Sequence, residues 1–455
     1  MAPPLLDRVF GLERRGTTAG REALAGATTF VTMAYILFVN PQILSAVADR
    51  TGHTPSQAAL LTSTALVAAV ATLAMGLVAN LPLALASGMG LNSVVAYQLV
   101  AGRGLTWREG MGVIVAEGLV ITLLVLTGLR QAVMRAVPAS LKRAIGIGIG
   151  LLLAFIGLVN AGFVTRPSAG PVPVQLGDGG LHGFPPFLFA FTLLLTGWLL
   201  ARRTTGALLL GIAAATALSI LARLAGAPGL PPEAAALPAS PIALPDFGQV
   251  GQFDLGFVRT VGWMTGALLV FSIMLSDFFD SVGTVVAVGR EAKYLDERGE
   301  VPRPGRVLLV DSLAAAAGGA AGASSATTYV ESAAGAAAGG RTGLASVVTA
   351  ALFALSLFIA PIAQVVPPQA TGAVLVLVGF LMVREVVGIP WDDATEAIPA
   401  FLTLTLMPFT YSITNGIGAG FVAYCVLKAL RGEGRALHPL LIGAAAAFVV
   451  YFVLA

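Results

Sequence analysis

Long apolar runs recur along the whole chain and are separated by short polar or basic loops. A helix that crosses the hydrocarbon core of a membrane needs about 20 predominantly apolar residues. Charged residues make up only 11% of the 455 residues, less than half of the roughly 25% that is typical of soluble domains. We therefore expect an integral membrane protein of about 10 to 14 spans, and a soluble enzyme, a disordered chain and a nucleic-acid-binding protein are poor interpretations. The runs cover residues 23–45, 58–79, 83–101, 111–129, 144–163, 186–201, 206–225, 258–288, 306–322, 325–339, 343–361, 370–388, 397–412, 414–431 and 439–455.

Basic residues fall unequally on the two sides of these spans. Alternate loops on one side hold 20 of the 26 Lys and Arg residues, and the loops on the other side hold 6. Because loops rich in Lys and Arg stay on the cytoplasmic side, we expect a multi-pass protein of the cell (inner or plasma) membrane with a cytoplasmic N-terminus. The richer loops lie around 1–22, 130–143, 202–203, 290–306, 341, 384 and 428–435.

The two halves of the chain share one pattern. A Pro-rich segment without Lys or Arg, 226–257, divides them and is expected outside the cell. Each half opens with a long apolar run and continues, two spans later, with a short broken polar segment, 86–93 or 325–332. Aligned on their final Ser, these segments place Asn92 opposite Glu331. Seven spans per half would invert the second half, and matching broken helices in inverted repeats indicate the site of a secondary transporter. The alternative is that Gly and Ala in these segments only let helices pack closely.

Ionisable residues at membrane depth are costly and are therefore candidates for function. Asp277 and Asp280 are three residues apart, which puts both carboxyl groups on one face of a helix. Two close carboxylates cannot both ionise cheaply in a low-dielectric site, and this chemistry suits the binding and release of a proton. A helix cap or an inter-helix hydrogen bond is the alternative for each. We interpret Glu117 and Asp311, also within apolar runs, as inter-helix partners rather than ligands.

Glu331 follows a Thr-Thr-Tyr sequence with one residue between, and precedes a run of small residues. A helix that begins near Tyr329 would place Glu331 in its first turn, where the helix dipole favours a carboxylate. A carboxylate accepts hydrogen bonds, and the amide of Asn92 both donates and accepts them. The two side chains therefore suit a planar heterocycle with adjacent N–H and C=O groups. Tyr329 or Phe278 could stack on such a ring, and plain packing is the alternative for both.

Residue types that usually hold metals or nucleotides are scarce. The single cysteine, Cys425, lies inside an apolar run, and the sequence has no Gly-Lys-Ser/Thr phosphate-binding loop. We therefore expect no metal site, no cofactor and no ATP-driven mechanism. The three histidines lie at or near loops: His53, His182 and His438.

Several stretches resemble those of one known family, and they are spread over nearly the whole chain. They make the chain similar to the nucleobase:cation symporter-2 and nucleobase-ascorbate transporter superfamily, and in particular to its azaguanine-like hypoxanthine/guanine/adenine permease branch. The resemblance implies an all-α integral membrane protein with the uracil-permease-like fold. In that fold fourteen transmembrane segments form two inverted repeats of seven, with short strands in segments 3 and 10. The stretches are 32–41 (TMAYILFVNP), 88–93 (GMGLNS), 277–284 (DFFDSVGT) and 327–335 (TTYVESAAG), the last continuing through 339–343 (GGRTG).

The resemblance also implies two domains that move against each other. Segments one to four and eight to eleven would form a core domain, and the remaining segments would form a gate domain, with a homodimer through the gate. One departure is a fifteenth apolar stretch, 439–455. It is either a surface helix or a sign that the division of 397–431 into two spans is wrong. The domain ranges are 1–130 and 258–362 for the core, and 131–228 and 363–455 for the gate.

For function, the resemblance implies a secondary transporter that imports the purine nucleobases hypoxanthine, guanine and adenine by alternating access, coupled to protons. It implies a small-molecule purine and the lipid bilayer as partners, no nucleic acid and no enzymatic activity; sodium stays open as the coupling ion. Alternatives of the same fold are a uracil or xanthine permease and a sulfate or bicarbonate carrier, although nearby carboxyl groups argue against an anion. An integral-membrane enzyme is a distant alternative. The implied substrate-binding residues are Asn92, Asp277, Glu331, Tyr329, Thr328 and Phe278, with Asp280 and Asp277 in proton coupling.

Overall fold

The computed structural model describes residues 5–129, 136–167, 172–178, 180–226, 237–238, 240–295 and 301–454. Within these residues the chain is mainly helical, and nine helices are long and apolar enough to cross a membrane. This confirms the predicted all-α integral membrane class, while the count of fourteen segments stays a prediction. The predicted loops 130–143 and 290–306 and the Pro-rich segment 226–257 lie partly outside the described residues.

Nineteen α-helices lie within the described residues. Those before the Pro-rich segment are Leu5–Phe10, Ala19–Met33, Ile36–Leu44, Gln57–Ala74, Met89–Ser93, Trp107–Thr127, Ala139–Asn160, Phe184–Ala201 and Ala207–Leu224. Those after it are Phe257–Val261, Trp263–Glu291, Pro304–Ala320, Ser332–Ala337, Gly343–Leu355, Ala360–Ala363, Pro368–Val383, Ala394–Thr410, Ile413–Leu430 and Pro439–Leu454. Wider or tighter helical turns are Glu13–Arg15, Met75–Ala79, Val94–Gly102, Ser356–Phe358, Arg384–Gly388 and Gly434–Ala436. The strands are Leu85–Ser87, Val164–Thr165, Gln175–Leu176 and Ala326–Thr328.

Two short strands from the two halves of the chain pair with each other inside the helical bundle. Leu85–Ser87 runs antiparallel to Ala326–Thr328, with Ala86 opposite Thr327, and we call them the paired strands. Every residue in both is buried. They confirm the strands predicted in the two broken segments. The antiparallel pairing is the arrangement that an inverted repeat predicts, because corresponding segments then run in opposite directions.

The outer edges of the paired strands are hydrogen-bonded to helices. The hydroxyl of Thr72 donates to the Leu85 carbonyl at 3.0 Å and accepts from the Leu85 N–H at 2.9 Å. On the other strand, the Thr328 N–H donates to the Asp311 carboxyl at 3.2 Å. At membrane depth water does not satisfy free backbone groups, so side chains must do so. Asp311 therefore joins its own helix to the second paired strand, as the interpretation of it as a packing partner rather than a ligand predicts.

Glycines bring the helices Ala139–Asn160 and Pro368–Val383 unusually close together. A Cβ added to Gly372 would meet the Gly157 carbonyl oxygen at 2.6 Å, and one added to Gly157 would meet the Gly372 carbonyl oxygen. Each glycine thus contacts the backbone of the other helix directly. Small residues permit such close approach in membrane helices, where van der Waals packing drives association.

A polar contact ties the segment after the first paired strand to the helix Ile413–Leu430. The Gln98 amide nitrogen donates to the Thr414 hydroxyl at 2.6 Å, and the Ile413 N–H donates to the Gln98 amide oxygen at 3.0 Å. These residues belong to the predicted core and gate domains respectively. The division into core and gate stays a prediction.

The C-terminal apolar stretch forms the helix Pro439–Leu454, which packs on Ile413–Leu430 and Trp263–Glu291. The ring of Phe448 lies 6.0 Å from that of Phe421. Tyr411 has a φ of 50° and ends the preceding helix Ala394–Thr410. The region 397–431 therefore forms two helices, and its division into two membrane spans stays a prediction.

Candidate functional site

A cavity lies beside the paired strands, with about 110 Å³ of space for the centres of water-sized molecules. Its lining includes both broken segments, Gly88–Leu91 and Thr327–Glu331, and residues of the helix Trp263–Glu291, and the carboxyl groups come from the last two. Leu153 and Met382 also belong to the lining. The cavity is therefore bounded by residues of both predicted domains.

Glu331 lies at the cavity, directly before the helix Ser332–Ala337. The sequence predicts a helix start near Tyr329, but residues 329–331 form a turn in which the Ser332 N–H donates to the Tyr329 carbonyl at 3.1 Å. The Tyr329 N–H donates to the Ala84 carbonyl at 2.9 Å, so Tyr329 still belongs to the extended strand end. Glu331 is thus the residue that precedes the first helical turn, and its carboxyl group stays half-buried.

Tyr35 holds the Glu331 side chain. Its hydroxyl donates to Glu331 Oε1 at 2.7 Å, and Tyr35 itself is buried in the break between the helices Ala19–Met33 and Ile36–Leu44. Sequence reasoning did not single out Tyr35, although it lies inside the stretch 32–41 that carries the resemblance. The two residues are 296 positions apart, so only the fold brings them together.

Thr328 and Tyr329 line the cavity at the end of the second paired strand. The Tyr329 hydroxyl donates to the Ser87 carbonyl of the first strand. This bond fixes the ring against the cavity, where its face can stack on a planar ligand. The Thr328 hydroxyl donates to the Ser281 carbonyl at 3.4 Å, which ties the strand to the helix Trp263–Glu291.

Asp277 and Asp280 both line the cavity, one helical turn apart. Asp277 is buried, with 1% of its surface exposed, whereas Asp280 is exposed at the cavity surface. The helix that carries them is held to the second paired strand by a hydrogen bond of 2.6 Å between the hydroxyls of Ser281 and Thr327. The predicted pair therefore faces Glu331 across one cavity.

Glu117 lies behind Asp277 and is fully buried on the helix Trp107–Thr127. The Ser325 hydroxyl lies 3.4 Å from a carboxyl oxygen of Glu117 and 3.4 Å from one of Asp277. The sequence interpretation of Glu117 as an inter-helix partner did not connect it to the site. The signal in the sequence that could have connected Glu117 to the site was its position in the middle of an apolar run.

Two predicted residues lie apart from the cavity surface. Among the described residues, the cavity lining includes neither Asn92 nor Phe278. Asn92 follows the lining residues Gly90 and Leu91 and is fully buried, and in the described part of the chain both polar atoms of its amide have no hydrogen-bond partner. Phe278 is buried with its ring 5.6 Å from that of Phe279.

The cavity combines hydrogen-bond acceptors with an aromatic face. Its carboxyl groups can accept hydrogen bonds from N–H groups of a ligand, and Tyr329 can stack on a planar ring. Across the described residues, no group of three or more His, Cys, Asp or Glu side chains is arranged to hold a metal ion. The arrangement suits a small planar ligand with N–H donors.

Over nearly its whole length the chain is similar to proteins described as permeases. The sequence profile of a protein family described as the Permease family matches residues 20–419. Adenine permease AdeP of Escherichia coli is 38% identical over 99% of this chain and 96% of its own length. Guanine/hypoxanthine permease PbuG of Bacillus subtilis is 36% identical over 98% of both chains.

A solved structure confirms the predicted fold. The transmembrane domain of the cyanobacterium bicarbonate transporter BicA superposes with a TM-score of 0.61 at 15% identity, covering 88% of this chain and 97% of that one. At such low identity the likeness concerns the fold alone.

Proposed function

This chain belongs to the nucleobase:cation symporter-2 family of permeases, and we propose that it imports purine nucleobases by proton-coupled alternating access. It is a multi-pass membrane protein. Relatives that it matches over nearly its full length are adenine and guanine/hypoxanthine permeases. Hypoxanthine, guanine and adenine are therefore the proposed substrates.

One observation carries the proposal: Glu331, Asp277 and Asp280 line a single cavity beside the aromatic ring of Tyr329. A purine is planar and presents N–H donors at its edge, which carboxyl groups accept. In our assignment the Glu331 carboxyl group accepts hydrogen bonds from the N–H groups at the purine edge. Asp277 binds a ring N–H or the coupling proton, and Asp280 adjusts the affinity for that proton. Tyr329 stacks on the ring.

The other predicted residues complete the assignment. A buried amide without partners is costly, and the Asn92 amide, which among the described residues is not part of the cavity lining, would have to turn towards the cavity to bond a purine. Thr328 positions the strand end at the ligand, and Phe278 supports the helix that carries Asp277. Protons are the proposed coupling ion because the cavity holds several carboxyl groups; sodium is the alternative.

Alternating access would come from movement of the core domain against the gate domain. The cavity supports this proposal because its carboxyl groups belong to the predicted core, whereas Leu153 and Met382 of its lining belong to the predicted gate. We further propose a cytoplasmic N-terminus, a homodimer through the gate and a location in the inner or plasma membrane. Because the relatives are transporters, we propose no enzymatic activity.

An anion carrier is a second candidate because the fold is shared with a bicarbonate transporter. The carboxyl groups at the cavity disfavour it, since they would repel an anion. A uracil or xanthine permease differs only in the pattern of donors and acceptors on the substrate edge.

Uptake of radiolabelled hypoxanthine and adenine into cells that lack their own purine permeases tests the proposal. We expect saturable uptake that falls with a protonophore, is independent of sodium and is blocked by unlabelled purines. Uracil, xanthine, sulfate and bicarbonate serve as competitors. No purine uptake by protein that is correctly inserted in the membrane would contradict the proposal, and competition by bicarbonate or sulfate would favour the anion carrier.

A further inference from the structure

Behind the cavity, two carboxyl groups from different helices form a buried pair. Glu117 and Asp277 have 0% and 1% of their surface exposed, and the Ser325 hydroxyl lies 3.4 Å from a carboxyl oxygen of each. In the described part of the chain, Glu117 Oε1 and Asp277 Oδ1 have no hydrogen-bond partner. Two ionised carboxylates only accept hydrogen bonds. A hydrogen bond between these groups therefore requires a proton on one of them.

The electrostatic surroundings of the pair also favour a bound proton. Further carboxyl groups lie nearby: Asp280 is one helical turn from Asp277, and Asp311 accepts a hydrogen bond from the Thr328 N–H at the second paired strand. Like charges in a low-dielectric site cannot all ionise, and a shared proton removes the repulsion. The pair therefore holds at least one proton when the cavity is empty.

The two carboxyl groups of the pair differ in whether they can be reached from the cavity. Asp277 lines the cavity, whereas among the described residues Glu117 is not part of the lining. Ser325 stands between them, with its hydroxyl 3.4 Å from a carboxyl oxygen of each. A proton from water in the cavity therefore meets Asp277 first, and Glu117 receives it only from Asp277 or through Ser325.

We propose that Glu117 stores the coupling proton, so that Asp277 is free as a carboxylate to accept a purine N–H. This inference rests on the proposed function, because it concerns the proton that drives purine uptake. The proposal divides the two roles considered for Asp277: Asp277 accepts the purine N–H, and Glu117 holds the coupling proton. Glu117 is a positioning and proton-storage residue and does not touch the substrate.

The transfer is balanced without any further reactant. Asp277 gives its proton to the Ser325 oxygen while the Ser325 hydroxyl gives its own proton to Glu117. Asp277 ends as a carboxylate, Glu117 as a neutral acid, and Ser325 is unchanged. Direct transfer across the carboxyl pair has the same result. On the cytoplasmic side, departure of the purine lets the proton return to Asp277 and leave through the cavity.

The test compares two transport modes of purified protein in proteoliposomes. Accumulation driven by a pH gradient needs net proton movement, whereas counterflow of labelled against unlabelled purine at equal pH does not. The variant Glu117→Gln keeps the shape and hydrogen-bonding capacity of the side chain but cannot carry the proton. Glu385→Gln makes the same chemical change at an exposed glutamate and is the matched control.

We expect Glu117→Gln to lose pH-driven accumulation, down to the level of wild type with a protonophore, while counterflow stays close to wild type. Ser325→Ala should slow accumulation and spare counterflow as well. Undiminished accumulation in Glu117→Gln would overturn the proposal. Equal loss of both modes in a folded variant would also overturn it, since that result indicates a purely structural role.

A second readout separates this proposal from the purine assignment. The infrared spectrum of the purified protein, without any substrate, reports the carbonyl band of a protonated buried carboxyl group. We expect that band in wild type and Glu385→Gln, and a change in its frequency or intensity in Glu117→Gln, where the proton can no longer be shared between two carboxyl groups. A wild type that transports no purine would contradict the proposed function, and an unchanged band in Glu117→Gln would contradict the shared proton in either case.

Discussion

The hydroxyl of Tyr35 donates a hydrogen bond of 2.7 Å to the Oε1 atom of Glu331. The bond joins the break in the first long helical segment to the turn after the second paired strand. Tyr35 is buried, so the bond is shielded from water and fixes the direction of the Glu331 carboxyl group. A site that recognises a purine by its N–H groups depends on acceptors that are held in a fixed direction.

Tyr35→Phe removes this hydrogen bond and keeps the ring. A hydrogen bond to a charged group contributes about 1.5 kcal/mol or more, so we expect the KM for purine uptake to rise about tenfold. Concentration-dependent uptake measures it. Tyr424→Phe is the matched control, because Tyr424 donates to Glu396 at 3.2 Å away from the cavity. An unchanged KM in Tyr35→Phe would show that Glu331 needs no support from Tyr35.

The contact of Gln98 with Thr414 offers a test of domain movement. If the predicted core moves against the gate, this contact must open during transport. We expect Gln98→Cys with Thr414→Cys, in a Cys425→Ser background, to lose uptake when a short bifunctional thiol reagent links the pair. Each single variant, treated in the same way, should keep its uptake. Normal uptake by the linked protein would mean that this contact stays closed throughout the cycle.

Gly157→Ala tests the close approach of the helices Ala139–Asn160 and Pro368–Val383. The added methyl group would meet the Gly372 backbone, and overpacking of this kind costs about 1 to 3 kcal/mol. We expect a lower melting temperature in detergent, measured by size-exclusion chromatography after heating. Gly146→Ala on the same helix meets nothing within 4 Å and should melt like wild type. Equal melting of the two variants would contradict the packing described here.

Much of the fold follows from local sequence, because apolar length and basic loops determine which segments enter a membrane. The paired strands were predicted through the family resemblance, which implies short strands in segments 3 and 10. The relation of Tyr35 to Glu331 was not predictable from spacing, because it joins residues 296 positions apart. It requires the three-dimensional arrangement of the two repeats.

The candidate site, like the fold, could be predicted from the sequence only in part. Asp277, Asp280 and Glu331 were identified because ionisable groups are rare at membrane depth. Glu117 carries the same signal, but nothing in the sequence says that its helix faces Asp277 rather than another neighbour. The alignment that pairs Asn92 with Glu331 does not predict that only Glu331 reaches the cavity surface, since side-chain direction depends on how each short helix begins.

Equilibrium binding of labelled adenine and hypoxanthine to the purified protein tests the central claim most directly. The account predicts saturable binding that unlabelled purines displace and bicarbonate does not. It also predicts that Glu331→Gln loses this binding while Glu385→Gln keeps it. Purine binding of wild-type strength in Glu331→Gln, or none in folded wild-type protein, would contradict the account.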